Sequence, residues 1–413
     1  MTNTFMLIKS VSATWIIDSR AMPTIKAIVK TENATGIGHA PSGASKGQHE
    51  AIELRDNKND FHGMGVYNAI KNIKAHIAKA IVGKNVSEQE DIDNSMIKID
   101  GTKNKSKLGA NATIACSIAC LDAAAKENNM ELFEYIAKKY KRKPKIPYCM
   151  FNIINGGKHA GNKLSIQEFL IVPIIKDVRQ AVKASMEIYQ ELKEEIKKAY
   201  GRHSINVGDE GGFSPNMQRN WQAIEIIKKA IEKTGYEKEI KISIDAAADS
   251  FYNSNADKYE VDEKMLDKEE LLDYYKELVK TYGILSIEDP FYEKHGQQFK
   301  LLKRYVKVIG DDLTVTNIEL VKKNKDFING IIIKPNQIGT ISETIKAFDY
   351  AIKHVPFIIT SHRSGETESS FIADFAVGIA SPYVKFGAPA RGERTVKYNR
   401  LMDIGDELGM AGN

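Results

Sequence analysis

At 413 residues, with 59 basic and 54 acidic side chains, the chain carries a formal net charge of +5, nearly balanced for its size. Its lysines are interspersed with glutamates rather than blocked together, which argues against nucleic-acid or membrane-surface binding. With 42% hydrophobic residues it can bury a large core, and it exceeds the roughly 250 to 300 residues at which one core stops growing, so two domains are expected.

The N-terminal stretch MTNTFMLIKSVSATW lacks a basic region followed by a sustained apolar run and a cleavage site, so no signal peptide is expected. No run approaches the roughly 18 apolar residues that span a bilayer. TIKAIVKTENATGIGHA alternates as strands of an antiparallel meander do. PSGASKGQHE then places Ser42, Gly43, Ala44 and Ser45 between strand and helix, as a solvent-exposed turn or a small-residue lid. NAIKNIKAHIAKAIVG reads as a helix with Ile73, Ile77 and Ile81 on one face and Gly83 as its stop. Cys116 and Cys120 lie four apart in a small-residue helix, where buried packing is the expected role. With Cys149 they make three thiols and no disulfide framework, which fits a reducing, cytoplasmic compartment.

KKYKRKPKIP reads as a linker, giving an N-terminal α+β domain over 1–140 and a second domain over 145–413. After it comes a long amphipathic helix with Val178, Val182, Tyr189, Leu192 and Ile196 facing inward, closed by Gly201. Seven short apolar strands then alternate with helices: SINVGDE, IKISIDAA, ILSIEDPF, VKVIGDDL, GIIIKPN, PFIITSHR and YVKFGAP. Such alternation predicts a parallel sheet covered by helices.

The strand ends carry Asp209-Glu210, Asp245, Glu288-Asp289, Asp311-Asp312, Lys334, His362-Arg363 and Lys385. Seven charged ends favour a closed (β/α)8 barrel over an open sheet, because a barrel gathers the C-terminal ends of all its strands on one face. Asp245, Glu288 and Asp311 offer the oxygen ligands that a hard cation such as Mg²⁺ takes, although each alone could equally cap the helix that follows it. A lysine that is partly desolvated or near another cation has its pKa pushed down, so Lys334 and Lys385, with Arg363 beside them, are candidate bases, although a strand-end lysine alone could equally be a solvated rim charge. His362, Arg363 and Ser364 open a βα loop of a kind that grips phosphate. His159, flanked by glycines in NGGKHAGN, reads as exposed, and Gln167 and Glu168 sit beside the apolar strand of QEFLIVP.

The chain resembles the enolase family. The likeness rests on DSRAMPT, PSGASKGQHEAIELRD, DGTKNKSKLGANA, NIINGGKHAGNKLSIQEF, NVGDEGGFSPN, IEDPF, GDDLTVTN, KPNQIGT, SHRSGETESSFIADFAVG and KFGAPARGER, ten segments in family order across both domains. The resemblance implies a barrel whose first turns depart from simple βα repetition, and Mg²⁺-dependent reversible dehydration of 2-phosphoglycerate to phosphoenolpyruvate. It implies Lys334 as general base, Glu210 assisted by Glu168 as the acid that helps the hydroxyl leave, and His159 closing with its own loop. Asp245, Glu288 and Asp311 would form the tighter magnesium site, and Ser45 would reach a second Mg²⁺. Arg363 and Ser364 would hold the phosphate, with Gln167, His362 and Lys385 also on the substrate. A homodimer or a ring of dimers is implied as well. Departures from the family pattern at Ala21-Met22, Lys46, Asp249 and Gly392 leave two other readings open: a divergent enzyme acting on another 2-phospho or 2-hydroxy acid, and a non-catalytic binding protein on the same fold.

Overall fold

A computed structural model describes residues 6–44, 47–57, 59–157 and 160–409. The chain opens with the meander that its alternation predicts: β1 (Ser10–Ile17), β2 (Pro23–Lys30) and β3 (Thr35–His39), antiparallel throughout. The helix Ala110–Glu127 packs on this sheet at close range, and small residues on both sides permit it. A Cβ at Gly36 would meet the Ala119 carbonyl oxygen at 2.1 Å, and one at Gly38 the Ala115 carbonyl oxygen at 2.1 Å. Cys116 and Cys120 are buried in that helix, and all three cysteines are free. The isoleucine face is also as expected: Ile73, Ile77 and Ile81 are fully buried, in a helix running from Tyr67 to Ile81 with one π-turn at Ile73–Ile77.

The remainder is a closed eight-stranded barrel. Its strands are β4 (Tyr148–Asn155), β5 (Glu168–Pro173), β6 (Ile240–Asp245), and, after a small meander of β7 (Tyr252–Asn253), β8 (Lys258–Val261) and β9 (Lys264–Leu266), β10 (Ser286–Glu288), β11 (Lys307–Gly310), β12 (Gly330–Ile333), β13 (Phe357–Ser361) and β14 (Tyr383–Lys385). Each neighbours the next around the ring, and β14 closes on β4.

Three details correct the sequence reading. SINVGDE is no barrel strand: Arg202–Ile205 is a 3₁₀ turn, and Val207 makes a single bridge to Phe213, because Gly208 folds back to hydrogen-bond Gly212. The first two barrel strands are instead β4 and β5, and β5 runs antiparallel to both its neighbours. The sheet is therefore not wholly parallel. Two helices, Val178–Tyr200 and Asn220–Thr234, follow β5 before β6 begins.

Strand pleating explains how charged side chains reach the barrel mouth. Met150, Leu170, Val172, Ile309, Ile332 and Ile359 form a core separate from the main one, with Phe357 and Tyr383 stacked 4.3 Å apart against it. These residues fill the barrel interior, whereas Ile331 and Ile333 join the core under the outer helices. Side chains two residues apart share a face, so Ile332 carries Lys334 inward, Ile309 carries Asp311, Met150 carries Asn152, Leu170 carries Glu168, Ile359 carries Ser361 and Tyr383 carries Lys385. Pro335 ends β12 at this point: it has no N–H for the ladder and holds Lys334 extended, at φ −129° and ψ 100°.

Candidate active site

The cleft at the barrel mouth, about 470 Å³ including the space open to solvent, is lined by Gly43, Ala44, Glu50, Gln167, Glu168, Glu210, Asp245, Asp311, Lys334, His362, Arg363, Ser364 and Lys385, among others. It brings together nearly all the residues expected from the sequence. Ser45 and His159 lie outside the described residues. Glu288 is buried behind the lining, with Oε2 2.8 Å from Lys385 Nζ.

Lys385 is the electrostatic centre. Its ammonium also lies 3.1 Å from Asp245 Oδ2 and 3.2 Å from Glu168 Oε2. Strand register sets this up, since Asp245 is the Cα partner of both Glu168 and Glu288. Burial alone would push Lys385 down, but Glu168, Glu288 and Asp245 overcome it and hold the ammonium well above its usual range. Burial and the like charge of Asp245 push Glu288 well above the usual carboxylate range.

Lys334 bonds Asp311 directly. The expected depression of its pKa is not what the structure shows. Burial, Arg363 and Lys385 push it down, but contact with Asp311 outweighs them and leaves it above its ordinary value. Asp311 in turn is pushed up by burial but held below its ordinary value by Lys334. Its other oxygen accepts from Gln337 Nε2 at 2.9 Å.

Across the cleft stands the acid pair. Glu210 accepts from Ser364 Oγ at 2.9 Å and from Asn152 Nδ2 at 3.2 Å. Burial, then the neighbouring Glu210, pushes the Glu168 carboxyl well above its usual range, the condition for two carboxyl groups to share a proton. His362 Nε2 is 3.5 Å from Glu210 Oε2.

Arg363 is gripped by Glu50 through two bonds, Nη1 to Oε2 at 3.0 Å and Nη2 to Oε1 at 3.1 Å. Ser42, expected in an exposed turn, is buried and exchanges both backbone hydrogen bonds with Gly365. Glu50, Asn152 and Gln337 were not singled out from the sequence, and Asp289 stood there only as one of the charged strand ends. Asp289 accepts from the amides of Asp311 and Asp312 at 3.1 and 2.7 Å, so it orients the loop that bears Asp311. Among the described residues, Asp289, Asp311 and Asp312 are the acids whose oxygens lie within 4.8 Å of one another; the expected set of Asp245, Glu288 and Asp311 is spread around the two lysines. Asp289 spends both oxygens on backbone amides, which leaves it a poor cation ligand. Glu288 Oε1 is buried with no hydrogen-bond partner, an orphaned acceptor that a cation would satisfy.

The barrel gathers lysines, carboxyl groups and an arginine in one cleft, a set suited to acid–base chemistry on an anionic substrate. Residues 8–136 match the family model for the enolase N-terminal domain, and residues 143–413 match that for the enolase C-terminal TIM barrel domain. The enolase of Methanocaldococcus jannaschii is 44% identical over 412 residues, covering 98% of this chain and 96% of its own length. Those of Saccharolobus solfataricus and Saccharolobus islandicus are 46% and 47% identical over 410 residues, with the same coverage. The chain belongs to the enolase family.

Proposed function

We propose that this cleft carries out the family's reaction with the residues gathered at the strand ends. The chain is a hydro-lyase that dehydrates 2-phosphoglycerate to phosphoenolpyruvate, in keeping with 44–47% identity to named enolases over 98% of its length. The observation that carries the assignment of roles is the opposition of Lys334 and the Glu168–Glu210 pair across one buried cleft, with Lys385 between them.

The hard step is removal of a proton next to a carboxylate that is already negative. To take that proton from C2, Lys334 must be a neutral amine: burial, Arg363 and Lys385 favour that form, but the contact with Asp311 outweighs them, so Lys334 has to lose its proton before it can act. Negative charge then develops on the substrate carboxylate, and Lys385 stabilises it as a buried, fully charged donor. Glu210 gives a proton to the departing C3 hydroxyl, so that water leaves. Glu168 shares that proton, and Ser364 and Asn152 hold Glu210 in place. Arg363 and Ser364 hold the phosphate, with Gln167 and His362 lining the same cleft.

Asp245, Glu288 and Asp311 would hold Mg²⁺, with two ions per site and Ser45 toward the second; the orphaned Glu288 Oε1 supports the fit. When bound, the metal supplies positive charge against the developing carboxylate charge. His159 would act as its motif position in the family implies.

A division into domains at 1–140 and 145–413 is proposed from the linker-like stretch KKYKRKPKIP. A homodimer or ring of dimers is proposed from family likeness, and a cytoplasmic location from three free thiols. No helix among the described residues is long and apolar enough to cross a membrane. Mixing the protein with Mg²⁺ and 2-phosphoglycerate and following enol-phosphate absorbance tests the reading. Turnover supports it, and a folded protein without turnover sinks it.

A further inference from the structure

We infer that Glu50 is a positioning residue for the phosphate clamp, holding the Arg363 guanidinium in its binding orientation from the other half of the chain. The inference rests on the reading of Arg363 as a phosphate holder. Glu50 and Arg363 are 313 positions apart, yet their contact is a two-bond fork between side chains that are 8% and 5% exposed. Such a fork fixes the plane of a guanidinium, and Asn336 Oδ1 adds a third bond to Nη1 at 3.2 Å. An arginine left to rotate would have to be ordered by the phosphate at every binding event, at a cost to affinity.

Glu50 is itself fixed. Its Oε1 accepts from the Gly47 amide at 3.3 Å and lies 3.4 Å from Gln337 Nε2. The same Gln337 nitrogen donates to Asp311 Oδ1 at 2.9 Å, while its Oε1 accepts from Thr316 Oγ1 at 2.9 Å. One amide therefore spans from the clamp's carboxylate to a proposed cation ligand. The Thr316 hydroxyl also accepts from the Lys334 amide at 2.9 Å, which ties the base's backbone to the same network. A single chain of hydrogen bonds through Glu50 thus links Arg363 to Asp311 and to the backbone of Lys334.

The test compares wild type, Glu50→Gln, Glu50→Asp and Arg363→Gln for kcat, KM and inhibition by inorganic phosphate and by glycerate, which lacks the phosphate. Glu50→Gln is expected to raise KM and the phosphate inhibition constant about tenfold, the scale of one lost charge-assisted hydrogen bond, while glycerate inhibition stays as in wild type and kcat falls less than KM rises. Glu50→Asp keeps the charge and should recover part of the loss; it also carries the test if Glu50→Gln fails to fold, as a melting curve would show. Phosphate inhibition that is unchanged, or tighter, in Glu50→Gln overturns the inference, as does equal weakening of phosphate and glycerate. Arg363→Gln separates the two levels: phosphate inhibition untouched there removes the reading of Arg363 and the inference with it.

Discussion

Arg394 places Nη1 2.7 Å from His362 Nδ1, and this contact fixes where the imidazole carries its proton. A guanidinium can only donate, so Nδ1 must accept and the ring N–H sits on Nε2, facing Glu210. His362 is therefore neutral in the folded protein, and burial, with Arg394 adding to it, pushes its pKa down to about 4.

That depression makes stability pH-dependent in a defined window. Between about pH 6.5 and 4 the unfolded chain protonates His362 and the folded chain does not, so stability is full above 6.5 and falls as pH falls. A shift of this size corresponds to about 3 kcal/mol. His362→Asn keeps an acceptor for Arg394 and cannot titrate, so its urea-unfolding free energy should fall less steeply across pH 6.5 to 4 than that of wild type. Parallel curves for the two proteins would refute the assignment.

For Lys334→Ala, turnover should drop by roughly 10²- to 10⁴-fold, the contribution of a positioned general base, while substrate binding measured by calorimetry persists. Loss of binding with residual turnover close to wild type would move the base elsewhere.

How much of this could be read in the sequence follows from what each feature depends on. Strand alternation is local, so GIIIKPN was enough to place Lys334 at a strand end, and Pro335 marked the stop. The carboxylates of Asp245, Glu288 and Asp311 were visible for the same reason. The pairing of Lys334 with Asp311 was not, because it depends on β11 and β12 lying side by side, and it reversed the expected direction of the Lys334 shift. Glu50 was hidden among turn residues, since its partner is 313 positions away. Strand β4 was missed because YCMFNIIN is buried on both faces and shows no alternation. The antiparallel direction of β5 leaves no mark in the spacing of its own residues.

Gly330 opens β12 against the backbone of β13, and a Cβ there would meet the Phe357 carbonyl oxygen at 1.7 Å. Gly330→Ala must push two barrel strands apart, at roughly 3 kcal/mol or more. Gly392→Ala is the control, since nothing lies within 4 Å of its Cβ position and it begins the helix Gly392–Glu407. Urea midpoints should show a large loss for the first and a change within about 0.5 kcal/mol for the second. Equal midpoints for both would mean that the barrel relaxes around position 330.

Glu288 connects metal binding to stability. Its buried carboxyl group has one oxygen on Lys385 and the other without a hydrogen-bond partner, and burial with the charge of Asp245 holds its pKa high. A cation that takes up the orphaned oxygen removes that desolvation cost, so it binds the folded chain in preference to the unfolded one. At a hundred times its dissociation constant, Mg²⁺ should add about 2.7 kcal/mol of stability to the wild type, and removal by a chelator should reverse the gain. Glu288→Gln keeps the shape and the contact to Lys385 but removes one negative charge from the ligand set. Calorimetric melts with and without Mg²⁺ should therefore show most of the metal-dependent rise in Tm lost in Glu288→Gln, while a distant exposed change such as Glu319→Gln keeps it. A full rise in the Glu288→Gln protein would show that the cation is held without Glu288.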